Sequence, residues 1–293
     1  MGKSAIALLL AGRLNGEIVS VDSMQVYRGL DIGTAKPSAT DRAHIPHHLI
    51  DVADLTESFD AAKFAALAHR AVTEIQSRGR IPILCGGTGL YFRVYLEGLG
   101  ETPAADAALR AELERTPLEQ LLEELKSRDP ATYEKIDRKN PRRVVRAVEI
   151  IRLTGKPVSA QRAGWSNTPA PPARRLFCLT RTVDDLRARI DRRVEEMFRG
   201  GLVEETRRLL DKGLGENKTA LQALGYRQVV EHLRGERSLP ETIELVKTRT
   251  RQFAKRQLTW FRKQRGVQWI ELAADESADS VVNRLLGKLE SSL

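Results

Sequence analysis

Arg80-Ile81-Pro82-Ile83-Leu84-Cys85 is a short apolar run that breaks into Gly86-Gly87-Thr88-Gly89, ahead of a stretch with Tyr91, Val94 and Tyr95 at helical spacing. A run of this length stopped by glycines reads as a buried strand feeding a helix. Glu17-Ile18-Val19-Ser20-Val21-Asp22-Ser23 has the same character upstream and ends in polar residues. Between the two, Phe64, Leu67, Ala71, Val72 and Ile75 mark one face of a helix over residues 60–77. Strand, helix, strand, glycine turn and helix predict an α/β fold with parallel strands. In open parallel sheets ligands gather at the carboxyl ends of the strands, which here carry Asp22, Ser23 and Thr88. A Thr88–Asp22 hydrogen bond across a cleft is compatible with that arrangement.

The pattern changes further along. Residues 104–160 hold charged helices at 107–114, 118–128 and 141–153 and no strand, and Pro169-Ala170-Pro171-Pro172 reads as a stiff linker. Strand character resumes at Arg175-Leu176-Phe177-Cys178-Leu179-Thr180. Leu186, Ile190, Val194 and Met197 then form a helical stripe that stops at Gly200-Gly201, and helices follow at about 202–212, 221–234 and 240–264. Val267-Gln268-Trp269-Ile270-Glu271-Leu272 reads as a last edge strand. The expected organisation is a core built from residues 1–103 and 174–293, with a helical carboxyl-terminal region, interrupted by an all-helical insertion over 104–173.

With 293 residues, 41% hydrophobic and 30% charged, the chain has the apolar material for a sizeable core. Its longest apolar run, residues 5–11, is far short of the roughly 20 needed to span a bilayer. Two cysteines cannot build a disulfide framework, which with the absence of a secretory pattern predicts a reducing, cytoplasmic setting with no membrane partner. The net charge is +9. It is concentrated: residues 137–152 and 241–265 together carry an excess as large as that of the whole chain. Focused positive charge favours a nucleic-acid partner over general solubility. In the second stretch, Arg249 to Lys263, aromatics, threonines and glutamines are interleaved with the bases, which suits RNA backbone and base contacts. The bland reading is a helix that packs Phe253, Gln257, Trp260 and Phe261 on one side and solvates its charges.

Gly2-Lys3-Ser4 ahead of a strong helix former matches the second half of a phosphate-binding P-loop, G-x-x-x-x-G-K-[ST]. In that role Lys3 supplies a point charge, Ser4 a hydroxyl for Mg²⁺, and the helix end partial positive charge. The alternative is an ordinary helix start. Asp22 reads as a general base, a water-mediated Mg²⁺ holder or a turn carboxylate. His44, His47 and His48 have no fourth ligand at metal spacing and are expected to pack or cap, and Cys85 and Cys178 to be core thiols.

Several motifs together resemble the tRNA dimethylallyltransferases, or tRNA isopentenyl transferases. They are Gly2-Lys3-Ser4; Ile18 to Pro37, which contains Val21-Asp22-Ser23-Met24-Gln25 and Asp31-Ile32-Gly33-Thr34-Ala35-Lys36-Pro37; Pro46-His47-His48-Leu49-Ile50-Asp51; and Gly86-Gly87-Thr88-Gly89-Leu90-Tyr91. Asn140-Pro141-Arg142-Arg143, Leu224-Gly225-Tyr226-Arg227-Gln228 and Arg251 to Phe261 follow in order, collinear from residue 2 to about residue 272. The resemblance implies a P-loop-NTPase-like parallel sheet core with an inserted helical domain. It implies an enzyme that transfers a dimethylallyl group from dimethylallyl diphosphate to the N6 amine of the adenosine 3′ of the anticodon in tRNA, releasing diphosphate.

Carried over by motif, the resemblance makes Asp22 the general base and Thr88 its orienting partner or a contact to the bridging phosphate oxygen. It gives Gly2, Lys3, Ser4 and Arg227 to the diphosphate, with Ser4 on Mg²⁺ as the one cofactor. It gives tRNA contacts to Asp22, Ser23, Met24, Gln25, Thr88, Arg110, Arg142, Arg143, Arg146, Gln222, Gly225, Tyr226, Arg227, Lys255, Arg256, Gln257, Trp260 and Arg262. The implied partners are the tRNA anticodon stem-loop and dimethylallyl diphosphate, and the implied state is a monomer with no obligate protein partner. The family carries a strand and about five more loop residues before the Gly-Lys-Ser. The expectation is therefore a true start upstream of Met1, weakened binding of dimethylallyl diphosphate, and sheet neighbours left unpaired. The competing readings are a P-loop kinase or adenylate isopentenyltransferase acting on a free nucleotide, and a non-catalytic RNA-binding protein.

Overall fold

A computed structural model describes residues 2–98, 103–161, 175–264 and 266–290. The chain divides into two compact units, Met1–Tyr95 with Ala173–Leu293, and Leu96–Pro172. The linker expected at 169–172 lies outside the described residues.

The first unit is built on β1 (Gly16–Val21), which is buried along its whole length. It pairs in parallel with β3 (Ile81–Gly86) in full register from Gly16–Ile81 to Val21–Gly86, and on its other side with the short β2 (His47–His48). A strand with sheet neighbours on both sides and helices over both faces is expected to be largely apolar, as Ile18, Val19 and Val21 are, and its buried polar side chains, Glu17 and Ser20, are hydrogen-bonded. Helix α1 (Lys3–Leu14) covers one face, where Ala7 and Ala11 pack on Ile18 and the small side chains allow close approach. Helix α2 (Ala39–His44) leads into β2. Helix α3 (Ala61–Ser77), capped by Asp60 on the amides of Ala62 and Lys63, covers the other face with Phe64, Ala68, Ala71 and Ile75.

A second parallel pair, β4 (Leu176–Thr180) and β5 (Val267–Glu271), forms a separate two-stranded sheet. Among the described residues no strand joins it to β3, which is therefore an edge strand. Helix α1 reaches both sheets, because Ile6, Leu9 and Leu10 pack with Phe177, Leu179 and Ile270 while Leu8 packs with Ile83 and Cys85. After β3 comes α4 (Gly89–Glu97). The expected strands and helices appear within a residue or two of their predicted ends, apart from the 221–234 helix. That stretch is a 3₁₀ turn at Ala220–Gln222 and a shorter α-helix broken by Gly225.

The second unit is all helical: α5 (Ala107–Arg115), α6 (Leu118–Arg128), α7 (Pro130–Lys135), α8 (Pro141–Thr154) and α9 (Val158–Gln161). Helix α8 runs through its core, burying Val144, Val148 and Ile151 against Leu113, Leu121 and Leu125. Asn140 caps its start, Pro141 occupies its first turn, and Gly155 at φ 68° ends it. The first unit is completed by α10 (Val183–Arg199), α11 (Leu202–Leu210), α12 (Tyr226–Leu233), α13 (Leu239–Arg262) and α14 (Ala278–Glu290). The last of these, whose Val281, Val282 and Leu285 are buried, is not among the expected elements. No helix of the described residues is long and apolar enough to cross a membrane.

At the start of β1 the buried Glu17 carboxylate is held by His48 Nε2 (2.6 Å), Arg78 Nη2 (2.8 Å) and Arg80 Nη1 (3.4 Å). Burial alone would raise its pKa, but Arg78 and His48 outweigh it and keep Glu17 below the usual carboxylate range. A depressed carboxylate stabilises the fold above its unfolded pKa and loses that contribution as pH falls through the folded one. The melting temperature of the protein should therefore drop as pH is lowered through about 5 to 3. In Glu17→Gln that part of the slope should be shallower, as read by circular dichroism melts.

Candidate active site

Register brings the ends of β1 and β3 together. Val21 stands opposite Gly86, and the amides of Gly87 and Thr88 both donate to the Val21 carbonyl at 3.2 Å. Gly86 has no room for a side chain, since a Cβ there would lie 2.0 Å from the Val21 oxygen. The turn so formed places the Thr88 hydroxyl beside the segment that follows β1. It accepts from the Ser23 amide at 3.1 Å and lies 3.5 Å from the Ser23 hydroxyl, so Thr88 bonds Ser23 rather than Asp22. One residue back, Asp22 Oδ1 accepts from the amides of Met24 (2.9 Å) and Gln25 (3.3 Å). Its other oxygen has no hydrogen-bond partner among the described residues.

The amino end of α1 lies near this edge. Cys85 Sγ is 3.9 Å from the Lys3 carbonyl oxygen. Burial raises the Cys85 thiol pKa, while the Lys3 charge lowers it and the Asp22 charge raises it. Burial likewise lifts Cys178 on β4 to about 11 against an opposing pull from Lys3. The phosphate-type motif and the strand-end carboxylate thus act on the same thiol. Gly2 is left-handed at φ 80°, no side chain caps the helix, and no acidic residue occupies its first turn. The first intrahelical bond runs from the Ile6 amide to Gly2, which leaves the amides of Lys3, Ser4 and Ala5 unpaired among the described residues. A bare, positively polarised helix end with a lysine on it suits an anion.

Arg193 on α10 is a further cation under the influence of Asp22. Solvent reaches its side chain, yet the surrounding protein lowers its pKa by desolvation, against the opposing charges of Asp22 and Glu196. The guanidinium has no ion-pair or hydrogen-bond partner among the described residues. It stands in a run with Arg187, Arg189 and Arg192, and nothing in the sequence singles it out. Arg227, the arginine expected at the diphosphate, lies exposed on α12 and pairs with Glu231 at 3.1 Å.

Helix α13 packs against the glycine turn. Gln257 Nε2 donates to the Gly87 carbonyl at 2.9 Å, and a Cβ on Gly89 would lie 2.4 Å from the Trp260 ring. Gln257 and Trp260 therefore hold the turn that carries Thr88. On the same helix Lys255, Arg256 and Arg262 are exposed, with Arg256 over the Phe253 ring at 5.7 Å. Phe253, expected on the packed side, is 41% exposed. Two cations of the basic stretch are engaged inward: Arg251 with Asp191 at 2.5 Å and Lys247 with Glu195 and Glu244 at 2.8 Å.

Two residues expected to contact tRNA are buried in this structure. Tyr226 is fully buried with its hydroxyl on Glu205, and Gly225 is buried at φ 94° as the cap of α12, because α12 turns its first residues into the core. Gln222 is exposed and bonds the Lys218 carbonyl. Ser23, Met24 and Gln25 are half-buried around Asp22, and the Gln25 side chain is engaged by Ser20 and the carbonyls of Thr34 and Ala35. In the helical unit, Arg110 and Arg146 converge on the buried Glu149 at 2.5 and 2.7 Å. Arg142 and Arg143 stand exposed in the first turn of α8.

Two of the three histidines are structural, His47 Nδ1 bonding the Ile45 carbonyl at 2.7 Å and His48 serving Glu17, while His44, expected to pack or cap, is exposed at the end of α2. Among the described residues no cluster of His, Cys, Asp and Glu is arranged to hold a metal. An exposed Ser4 hydroxyl and one open Asp22 oxygen are hard donors of the kind Mg²⁺ accepts when phosphate oxygens and water complete its shell.

A family model described as IPP transferase matches residues 25–264. The tRNA dimethylallyltransferase 1 of Trichlorobacter lovleyi is 46% identical over 92% of this chain and 90% of its own length. A crystal structure of the tRNA isopentenylpyrophosphate transferase from Bacillus halodurans superposes with a TM-score of 0.71 at 41% identity, covering 99% of this chain and 93% of its own. A eukaryotic dimethylallyltransferase, captured acting on tRNA, superposes with a TM-score of 0.79 at 27% identity over 98% of this chain and 77% of its own.

The close approach of Gly86 to Val21 can be tested directly. Gly86→Ala should force β3 away from β1 and lower stability by at least about 2 kcal/mol, as overpacking against backbone does. A urea-unfolding midpoint equal to that of the parent chain would show that the two strand ends are not clamped in this way.

Proposed function

The chain belongs to the IPP transferase family, and from that membership we infer that it transfers a dimethylallyl group from dimethylallyl diphosphate to the N6 amine of an adenosine beside the tRNA anticodon. The observation that carries this reading is the meeting, at one sheet edge, of an open carboxylate oxygen on Asp22 with a group of unpaired cationic and amide donors.

The amine of adenine is a poor nucleophile because its lone pair is delocalised into the ring. As its nitrogen bonds to the terminal carbon of the dimethylallyl group, the C–O bond to diphosphate breaks and its electrons leave with the diphosphate. Nitrogen must shed a proton, and the free oxygen of Asp22 is the base that takes it. Thr88 acts one residue away: by accepting from the Ser23 amide it fixes the turn that aims Asp22. The departing diphosphate gathers charge, which Lys3, Arg193 and the first amides of α1 can meet in a partly desolvated setting. Ser4 is the residue that would hold Mg²⁺, which supplies further charge neutralisation on the diphosphate when bound.

For the RNA, the exposed Lys255, Arg256 and Arg262 of α13 and Arg227 of α12 in the first unit, and Arg142 and Arg143 at the head of α8 in the second, are cations that would contact phosphates. The reading has the protein working as a cytoplasmic monomer. A free nucleotide acceptor would leave the exposed cations of α13 without a purpose, which favours tRNA.

Incubation with labelled dimethylallyl diphosphate and either tRNA or AMP tests the reading. Label should enter tRNA and not AMP. Asp22→Ala should cut kcat by about 10²–10⁴-fold, the usual worth of a general base. Arg193→Ala should raise KM for the diphosphate donor by about tenfold or more, because a charge-assisted contact is lost. Label in AMP, or salt-sensitive tRNA binding without any transfer, would overturn the proposal.

A further inference from the structure

Glu205 on α11 is 5% exposed, and no cation stands beside its carboxylate among the described residues. An unpaired buried carboxylate is costly, and it persists only where neutral donors satisfy it. Here the donors converge from one loop and one tyrosine. The Ile32 amide donates to both oxygens, at 3.0 and 3.1 Å, and the Tyr226 hydroxyl donates to Oε1 at 2.5 Å. That hydroxyl in turn accepts from the Gly33 amide at 3.0 Å. Gly33 is tightly enclosed, since a Cβ there would lie 2.4 Å from the Tyr226 ring. Glu205 and Tyr226 thus grip two successive amides of the loop over residues 31–36.

The same loop holds the base turn from its other side. The carbonyls of Thr34 and Ala35 accept from Gln25 Nε2 at 3.1 and 3.4 Å, and Ser20 on β1 donates to Gln25 Oε1 at 2.9 Å. Gln25 is the residue whose own amide donates to Asp22 Oδ1. We propose that Glu205 and Tyr226 are positioning residues for Asp22, acting through the 31–36 loop and Gln25 to fix which carboxylate oxygen stays open. The inference rests on the prenyl-transfer reading of the site and adds a remote determinant of its rate.

The substitution Glu205→Gln keeps the size of the side chain but puts an amide group where one of the two acceptor oxygens stood. It should lower kcat for transfer to tRNA by about 10- to 100-fold, the scale of a small misplacement of a reacting group. KM for dimethylallyl diphosphate should change less than about twofold, because the cations that hold it are untouched. Tyr226→Phe, which keeps the Glu205–Ile32 bonds, should give a smaller fall of the same kind. It also serves as the test if Glu205→Gln fails to fold. The deciding measurement is the Asp22→Ala background, where neither substitution should slow the residual rate further. An equal fold-loss with and without Asp22, or unchanged kcat in both single variants, would overturn the positioning role. If the parent chain transfers no label to tRNA, the prenyl-transfer reading itself falls, and this inference with it.

Discussion

The parallel ladder between β1 and β3 is the constraint from which the site follows. It runs in unbroken register from Gly16–Ile81 to Val21–Gly86, so both strands end at the same level. A glycine at the last pair lets the backbones close until the next two amides of the turn reach back to Val21. With that contact made, the Asp22 turn and the Thr88 hydroxyl have little freedom left. Gln257 and Trp260 secure the turn from the side of α13, and the Ser20–Gln25 bond secures the segment after β1. The candidate edge is thus held by backbone and side-chain contacts together, as a site that must hold its geometry requires.

Charge is distributed according to a second rule. Several buried or half-buried carboxylates are met by cations, Glu17 by Arg78, Glu149 by Arg110 and Arg146, Asp191 by Arg251, while Glu205 is met by neutral donors. Around the strand ends Lys3, Arg193 and the leading amides of α1 are left without partners among the described residues. Cations left without partners beside a carboxylate are the arrangement that an anionic ligand would complete.

Much of this was legible in the sequence, for identifiable reasons. Strand ends, glycine turns and the start of α1 are local features, so Asp22, Thr88 and Lys3 could be found from patterns a few residues long. The α8 helix could be read because its cap, first-turn proline and terminal glycine are adjacent in the chain. What could not be read depends on distant packing. Arg193 is one of four arginines in a short stretch, and only the fold brings its charge to Asp22. Tyr226 and Gly225 sit in a motif that suggests contact with RNA, yet both are buried, Tyr226 with its hydroxyl on Glu205 and Gly225 against Leu202. The basic count over 241–265 overstated the surface charge, because α10 offers carboxylates to Lys247 and Arg251.

Helix α1 has a mechanical role that follows from the division of the strands into two sheets. No backbone ladder crosses from β3 to β4 among the described residues, so what couples the two sheets is side-chain burial along this one helix. Its alternating commitment, with Ile6, Leu9 and Leu10 to one sheet and Ala7, Leu8 and Ala11 to the other, makes it a seam. Amide protons of β4 and β5 are then expected to exchange with solvent as a group of their own, at a lower opening free energy than those of β1, whose hydrogen bonds are flanked on both sides. The helix that carries Lys3 at its amino end is also the seam between these two groups, so an anion bound there would slow exchange in both.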